Sequence, residues 1–363
     1  MSKEVKLTVW LSTYNQEEYV AQALDSILMQ KTNFPFDILA ADDCSTDGTQ
    51  AVILDYQKRY PDMIRTYFTP VNVGGCQKLV DCIGKGLFHG DYIAPLEGDD
   101  YWLEEDRLQV LVDFLDANPQ YSRVSHDRKV INERDEFVGY DVKPEVLGTA
   151  VTMEGFLNGQ LYSDFGSVYR NYYKQVGGKY NDLFLASRNV CDFQDMFITQ
   201  DFGPVYVMDR CLSVYRSRSV AGATNYNSIT TNAARRKDNI RLCRAVERFY
   251  KGKYDLTPMI RRNQRQLLTD AIKAQDAEAF LQAKEFISEV EIRQLLPELQ
   301  YLLLRGRQTA QRRFLASQLA AGEKRWMWLR TAGYAIRRIW NRLNGVRPNE
   351  LQRGTIVRTE SRT

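Results

Sequence analysis

The sequence has 363 residues, of which 44% are hydrophobic and 26% charged, enough for a large globular domain with an appendage or for two domains. No apolar run approaches the ~20 residues that span a bilayer, and the presence of only two histidines excludes a histidine-rich metal site. Six cysteines without paired metal spacing favour reduced thiols over a zinc site.

The net charge of +3 conceals an asymmetry along the chain. Residues 231–363 carry 28 Lys and Arg against 13 Asp and Glu, a charge of +15, whereas residues 1–230 carry 21 against 33, a charge of −12. This pattern predicts an acidic body that binds or catalyses and a basic tail that meets an anionic partner. We expect no nucleic-acid partner. The opening residues lack the apolar core of a signal peptide, so we expect a cytoplasmic protein.

The first hundred residues alternate strand-like and helix-like segments separated by polar loops. Strands are predicted at 5–11, 36–41, 64–68 and within 90–102, and helices at 17–30, 50–60 and 77–87. Ser45 and Thr46 are candidate N-caps of the second helix, which Pro61 ends. Strands alternating with helices predict an α/β fold with right-handed crossovers and a mostly parallel sheet flanked by helices.

Polar side chains follow three of these strands. Ser12 and Tyr14 follow the first, Asp42 and Asp43 the second, and three carboxylates follow the fourth, namely Glu97, Asp99 and Asp100. Ligands of parallel sheets collect beyond the carboxyl ends of the strands, so we expect these groups to converge. Carboxylate oxygens suit Mg²⁺ or Mn²⁺ shared with substrate phosphates. The alternative for Glu97–Asp100 is a solvated acidic turn.

Five stretches resemble the family 2 glycosyltransferases, inverting enzymes with a nucleotide-sugar-binding α/β fold of the glycosyltransferase-A type. They cover roughly residues 5–220 in the order of the family: "LSTYNQEEYVAQALDSILMQ", "DILAADDCSTDGT", "NVGG", "GDYIAPLEGDDYWLEEDRLQVLVDFLDANP" and "VCDFQDMFITQDFGPVYVMDRCLSVYR". The resemblance implies transfer of a sugar from a nucleotide donor.

The same resemblance implies a nucleotide, most often uridine diphosphate, held by Ser12, Tyr14 and Asp43. A carboxylate accepts from a base N–H, and an aromatic ring offers a stacking face. Asp99 matches the last position of the aspartate-any-aspartate motif of the family and would ligate a Mn²⁺ or Mg²⁺ ion bridging the diphosphate. Glu97 stands where the family often has aspartate, as a second metal ligand, and Asp100 reaches either the ribose or the metal.

Inversion requires a base that takes the proton of the acceptor hydroxyl. The base of the family is an aspartate at the head of a helix, and Asp192 matches it here. Asp195, one helical turn later, is the runner-up, while the structural alternative for Asp192 is a helix N-cap. Trp102 is either a platform for the acceptor sugar or part of the core.

Two departures from the family pattern concern the phosphates. Relatives often carry a histidine at the position of Arg218, and arginine can bind phosphate oxygens but cannot ligate a cation. Arg216 and Arg218 are therefore candidate phosphate ligands. Lys78 replaces a frequent asparagine and is a candidate nucleotide contact. The "QxxRW" motif of processive synthases is absent, which favours transfer of a single sugar.

The expected organisation is a catalytic domain at 1–230, a helical extension at 231–322, a basic amphipathic helix at 323–346 and a disordered tail at 347–363. In the amphipathic helix an apolar aromatic stripe lies beside arginines, as in helices that bind anionic lipid. The alternative is docking on the body or on a second subunit, which would make a homodimer. With lipid binding, the protein would be peripheral on the cytoplasmic face of the inner membrane.

The leading functional hypothesis is an inverting, metal-dependent glycosyltransferase that moves one sugar to a glycan or lipid-linked acceptor in surface polysaccharide synthesis. A nucleotidyltransferase is the alternative among enzymes, although Ser12–Asn15 lacks the glycine-rich loop that would hold a triphosphate. The alternative outside enzymes is a binding module for nucleotides or sugars.

Overall fold

The sheet is built around β1, Leu7–Thr13, whose residues are buried on both faces except for the partly exposed Ser12. The computed structural model describes residues 4–188, 191–217, 231–274, 276–288, 290–292 and 294–295. Burial on both faces explains why β1 reads as a continuous apolar and β-branched run instead of an alternating one.

Within the described residues, ten strands form one sheet in the order β3-β2-β1-β4-β9-β6-β10-β5, with β7 beside β6 and β8 beside β10. The other strands are β2 Phe36–Asp42, β3 Ile64–Phe68, β4 Tyr92–Glu97, β5 Tyr101–Trp102, β6 Arg123–Ile131, β7 Phe137–Tyr140, β8 Thr149–Val151, β9 Ser167–Arg170 and β10 Val205–Arg216.

Helices connect and cover the strands. They are α1 Val20–Leu28, α2 Thr49–Arg59, α3 Gly75–Gly84, α4 Arg107–Ala117, α5 Met153–Leu157, α6 Tyr173–Val176, α7 Asn181–Phe184, α8 Asp192–Gln200, α9 Asn232–Phe249, α10 Thr257–Ala274 and α11 Ala277–Lys284. A short 3₁₀ turn spans Pro144–Val146.

The α/β fold predicted from the sequence is confirmed. Strands β3, β2, β1 and β4 pair in parallel, as do β6 and β10. The remaining ladders are antiparallel, because β9 enters between β4 and β6 in the opposite direction and the short strands β5, β7 and β8 pair at the edges. The sheet is therefore parallel in its first half and mixed in its second half.

Side chains on one face of the parallel half pack against α1 and α4. Leu7, Val9 and Leu11 of β1 belong to a core cluster that also contains Leu24 of α1 and Leu111 of α4, all with no exposed area. Apolar side chains recur at three- and four-residue steps in both helices, which places a stripe of each against the sheet. This packing fixes the strands whose ends carry the candidate site.

The predicted start of α2 is wrong in one detail. Gly48, and neither Ser45 nor Thr46, is the N-cap of this helix. The Ser45 hydroxyl instead donates to the Asp42 carboxylate at 2.5 Å, and the backbone N–H of Thr46 donates to the side-chain oxygen of Asn15 at 2.8 Å. Ser45 and Thr46 therefore form hydrogen bonds with Asp42 and Asn15 and do not cap α2. The bond to Asn15 joins the loops after β1 and β2.

The chain divides after Leu256 into two compact units. In the first unit α9 packs on α8, where Tyr250 contacts the Phe197 ring and its hydroxyl donates to Asp201 at 2.9 Å. Thus α9, which the sequence assigned to the extension, lies with the sheet. In the second unit Gln264 of α10 donates to Glu291 at 2.8 Å.

No helix among the described residues is long and apolar enough to cross a membrane. The predicted amphipathic helix at 323–346 and the tail at 347–363 lie outside the described residues, so both stay predictions.

Candidate active site

The ends of three neighbouring strands meet at one edge of the sheet. In the ladders of β1, Ser12 lies opposite Glu97 of β4 and Thr13 lies opposite Asp42 of β2. The backbone N–H of Asp43 donates to the carbonyl oxygen of Thr13 at 3.0 Å, which continues the pairing past the strands. The polar groups that follow these strands therefore converge as expected.

Glu97, Asp99 and Asp100 form an acid cluster at the carboxyl end of β4. Asp99 is 5% exposed and Asp100 2% exposed, while Glu97 is partly exposed. One Asp99 carboxylate oxygen accepts from the Gln16 amide at 2.9 Å, which links the cluster to the loop after β1. The cluster is therefore buried and tied into the sheet, unlike the solvated turn that was its alternative.

Burial and like charges raise the pKa values of two members of the cluster, Glu97 and Asp100. Burial is the largest cause of a pKa for Glu97 well above its ordinary value, and the charges of Asp99 and Asp100 add to it. Burial and the charge of Asp99 raise the pKa of Asp100 to about 7. A cation at the cluster would relieve this repulsion and favour the ionised carboxylates.

The carboxylates fit a cation that is shared with a ligand. Among the described residues, no group of three or more His, Cys, Asp or Glu side chains is arranged to hold a metal ion by itself. Mg²⁺ and similar ions are commonly held by one or two carboxylates together with substrate phosphates and water. Asp99 and Glu97 supply such a donor set, whereas the oxygens of Asp100 have protein donors.

Those donors come from β6 and β10. Arg128 pairs with Asp100 at 3.2 Å, with its guanidinium also paired to Asp141 at 2.9 Å and packed 4.5 Å from the centre of the Tyr215 ring. The backbone N–H of Arg216 donates to the other oxygen of Asp100 at 2.9 Å. Sequence reasoning missed Arg128 because it follows the acid cluster by 28 residues and reaches it through the sheet.

Arg216, a predicted phosphate ligand, is engaged within the protein. Its guanidinium donates to the carbonyl oxygen of Asp99 at 3.1 Å and to the Gln22 amide oxygen at 3.0 Å, and it pairs with Asp135. Arg216 thus joins β10 to α1 and to the acid cluster. The second predicted phosphate ligand, Arg218, lies outside the described residues.

The carboxylate of Asp43 is used by the loop after β3. One oxygen accepts from the backbone N–H of Val73 at 2.8 Å and from the Thr69 hydroxyl at 3.0 Å, and the other accepts from the N–H of Gly74 at 2.8 Å. Gly74 has a φ of 91°, a conformation that favours glycine. Asp43 therefore shapes the segment that leads into α3.

Lys78 is buried on α3 and points at the backbone of the neighbouring strands. Its ammonium donates to the carbonyl oxygens of Thr13 at 3.0 Å and of Ala41 at 3.1 Å. Burial lowers its pKa from the ordinary value, and the charges of Asp43 and Asp42 oppose this effect. Among the predicted nucleotide ligands, Ser12 and Tyr14 are partly exposed, whereas the ammonium of Lys78 is hydrogen-bonded to backbone carbonyl oxygens.

Two aspartates on α8 have different surroundings. Asp192, at the first position of the helix, is exposed, and its carboxylate accepts from the backbone N–H of Phe193 at 2.9 Å. Protein around it displaces part of its water and raises its pKa, and its charge in turn raises the pKa of Glu97. The charge of Asp192 therefore acts on the acid cluster, although 95 positions separate it from Glu97.

Asp195 is buried by contrast. It pairs with Arg123 of β6 and accepts from the hydroxyls of Tyr172 at 2.6 Å and Tyr173 at 3.3 Å. Arg123 also pairs with Asp164, so this arginine joins β6, α8 and the loop before β9. These contacts tie Asp195 to β6 and to the tyrosines at α6, and its carboxylate is buried.

Trp102 does not offer a face to an acceptor. It is 2% exposed, belongs to the core cluster, and lies 4.2 Å from the Arg107 guanidinium. Of the two alternatives for Trp102, a sugar platform or a core residue, this burial favours the core. Tyr101, the other aromatic of this strand, is partly exposed.

The sequence also matches a known family. The model for glycosyl transferase family 2 matches residues 8–174, a range that contains the three strand ends and the acid cluster. Residues 8–174 belong to glycosyl transferase family 2. Asp192 of α8 and Arg216 of β10 follow the matched range.

The alignments with named relatives cover only part of each relative. The uncharacterized protein Rv1520 of Mycobacterium tuberculosis is 39% identical over 121 residues, which are 33% of this chain and 34% of that protein. The putative glycosyltransferase EpsE of Bacillus subtilis is 32% identical over 133 residues, 37% of this chain and 46% of EpsE. The chain thus spans between a third and a half of these relatives.

A solved structure aligns over more of the chain. TarS of S. aureus, crystallised in complex with UDP-GlcNAc, aligns with 76% of this chain and 83% of its own at 18% identity, with a TM-score of 0.48.

Proposed function

We propose that this family 2 protein is an inverting glycosyltransferase that moves one sugar from a nucleotide diphosphate donor to a glycan or lipid-linked acceptor. The observation that carries the proposal is the convergence of three strand ends on a buried acid cluster, with the charge of the exposed Asp192 acting on Glu97. The cluster suits a cation and a diphosphate, and the aspartate suits the removal of a proton.

The donor lies along the three strand ends in this proposal. Ser12 and Tyr14 are partly exposed beside the cluster and bind the nucleotide, uridine diphosphate by the resemblance of these motifs. Asp99 and Glu97 hold Mn²⁺ or Mg²⁺, which when bound neutralises the charge that develops on the leaving diphosphate. Asp43 and Lys78 act indirectly, because Asp43 holds the loop before α3 and Lys78 holds the carboxyl ends of β1 and β2.

Asp192 is the base of the proposal. Its exposed carboxylate removes the proton of the acceptor hydroxyl, and its raised pKa favours proton uptake relative to an ordinary aspartate. Asp195 pairs with Arg123 and keeps α8 in place. Surface polysaccharide synthesis is the setting we propose, because the motif of processive synthases is absent and single sugars are added to growing glycans there.

The test is a panel of nucleotide sugars with Mn²⁺, with donor hydrolysis and protection from thermal unfolding as readouts. We expect one nucleotide diphosphate to raise the melting temperature, and we expect Asp99→Ala or a chelator to remove the effect. Asp62→Ala is the matched control, since Asp62 is an exposed carboxylate between α2 and β3. Indifference to every nucleotide would contradict the proposal.

A further inference from the structure

Two cysteines face one another beside the candidate active site. Cys76 lies in the first turn of α3, and Cys191 is the residue immediately before α8. Their sulfur atoms are 3.2 Å apart, close enough for one thiol to donate to the other. The two segments also meet through the backbone, because the N–H of Cys76 donates to the carbonyl oxygen of Arg188 at 3.1 Å.

Each cysteine adjoins a part of the proposed machinery. Cys191 directly precedes Asp192, the proposed base. Cys76 follows Gly74, whose N–H is bound by Asp43 in the loop on the donor side. A bond between the sulfurs would therefore join the helix of the base to the loop of the donor.

We propose that Cys76 and Cys191 form a reversible disulfide that displaces Asp192 and lowers the rate of sugar transfer. The effect on transfer rests on the proposed function, whereas formation of the disulfide does not. The pairing spans 115 positions of the chain, so only the tertiary structure brings the two thiols together.

A peroxide is the oxidant we name. Cys191 is partly exposed and Cys76 is buried, so the Cys191 sulfur attacks the peroxide, forming a sulfenic acid and releasing one water. The Cys76 sulfur then attacks the sulfenic sulfur, the S–S bond forms, and a second water leaves. The two thiols lose two electrons and two protons in total, and hydrogen peroxide is reduced to two waters.

The resting state of the pair is the reduced one. The hydrogen bond with Cys76 and burial raise the pKa of the Cys191 thiol well above its ordinary value. Because the thiolate is the attacking form, oxidation is slow at neutral pH, and an exogenous dithiol reverses it by exchange. The pair is thus a site that responds to sustained oxidation.

The expected loss of activity follows from the distance that the sulfurs must close. A disulfide holds its sulfurs about 2.0 Å apart, so atoms now 3.2 Å apart have to approach by roughly 1 Å. A displacement of about 1 Å at a reacting group can cost on the order of 100-fold in rate. We expect oxidation to lower turnover by about tenfold or more.

The experiment uses the full chain and hydrogen peroxide. The protein is oxidised for hours at neutral pH, remaining thiols are blocked, and peptides are mapped by mass spectrometry. Turnover is measured with the donor that releases nucleotide fastest in the panel, before and after reduction with dithiothreitol. Cys211→Ser is the matched control, because Cys211 is also partly exposed but lies on β10.

Wild type and Cys211→Ser should yield a peptide linked through Cys76 and Cys191, with a loss of turnover that dithiothreitol reverses. The turnover of Cys191→Ser should be the same before and after treatment with peroxide. Cys76→Ser should retain a sulfenic acid at Cys191, which dimedone labels. A map without the linked peptide overturns the disulfide. A linked protein with unchanged turnover overturns its effect on Asp192.

A protein whose reduced form turns over no nucleotide sugar, yet yields the linked peptide, would support the disulfide and contradict the proposed function. The two failures are thereby distinguishable.

Discussion

At the scale of the residue, two aspartates one helical turn apart do different work. Asp192 is exposed beside the acid cluster, whereas Asp195 is buried against Arg123 and Tyr172. Removal of an aspartate that pairs with a buried arginine lowers the free energy of unfolding strongly, because the arginine loses a partner that it cannot replace with water. Removal of an exposed aspartate with one local hydrogen bond has little effect on the free energy of unfolding.

Substitution to asparagine separates these roles. We expect Asp192→Asn to lower transfer by about 10³-fold, with donor binding kept and the free energy of unfolding changed by less than about 0.5 kcal/mol. Asp195→Asn should lower the free energy of unfolding by about 3 kcal/mol. Turnover, donor titration and urea unfolding measure the three effects. Turnover at the wild-type rate in Asp192→Asn would exclude it as the base.

His126 is a second residue whose surroundings decide its chemistry. It has no exposed area, and its Nε2 accepts from the Arg107 guanidinium at 2.9 Å. Its Nδ1 lies 2.7 Å from the carbonyl oxygen of Asp127, which can only accept, so Nδ1 carries the proton and the ring is neutral. Burial, with the charge of Arg107, lowers the pKa of His126 well below its ordinary value.

A lowered histidine pKa makes stability depend on pH in a defined direction. Below pH ~6.5 the histidine of the unfolded chain takes up a proton, whereas folded His126 stays neutral. The free energy of unfolding therefore decreases as the pH is lowered, by up to about 1.4 kcal/mol per pH unit. We expect urea unfolding from pH 5 to 7 to show a steeper loss in wild type than in His126→Gln. His89, present in both proteins, cancels in the comparison. Parallel curves would show that folded His126 titrates normally.

At the scale of the element, the pairing of β1 with β4 carries the site. Gly90, just before β4, donates its N–H to the Thr8 hydroxyl at 2.9 Å. A Cβ at this position would lie 2.5 Å from backbone atoms of Leu7 and Thr8, which cannot move without shifting β1. Gly84 ends α3 with no heavy atom within 4 Å of the same hypothetical Cβ.

The two glycines therefore make a matched pair. Gly90→Ala should lower the free energy of unfolding by about 2–3 kcal/mol through overpacking. Gly84→Ala should raise it by about 0.5 kcal/mol, because alanine has less backbone entropy to lose. Chemical denaturation of both variants measures the difference, and equal stabilities would mean that β1 yields at Gly90 without cost.

Strands and the helices between them were predictable because their signals are local. The runs that became β2 and β3 were predicted to within one residue, since apolar and β-branched residues end there at polar loops. Pairings of β9, β5 and β8 were not predicted, because strands of two to four residues carry no periodicity that distinguishes them from loops.

At the scale of the whole molecule, the charge asymmetry remains the main prediction. The acid cluster and the aspartates of α8 lie in the acidic part of the chain, and the predicted basic amphipathic helix at 323–346 lies outside the described residues. Apolar aromatic residues beside arginines suit an anionic lipid surface or an acidic partner surface.

Truncation after Gly322 tests the hypothesis that the predicted helix at 323–346 binds anionic lipid. We expect the full chain to bind vesicles of anionic lipid at low salt and the truncated chain to stay in solution, because the apolar stripe and its arginines are removed together. Flotation of vesicles measures binding. The double substitution Arg337→Glu and Arg338→Glu in the full chain should weaken binding to the vesicles by about 1 kcal/mol or more for each positive charge that is lost. Full-length protein that ignores the vesicles favours the docked or dimeric alternative.

Glu97, Asp99 and Asp100 were recognisable as a site in the sequence alone, because carboxylates that follow a buried strand are informative without knowledge of their partners. The tertiary structure decided which side chains meet them. Arg128 and Gln16 contact the cluster from distant segments, and the charge of Asp192 acts on it from α8. Trp102, next to the cluster in sequence, lies in the core. Strand formation depends on local pattern, whereas the partners of a buried charge depend on the order and register of the strands in the sheet.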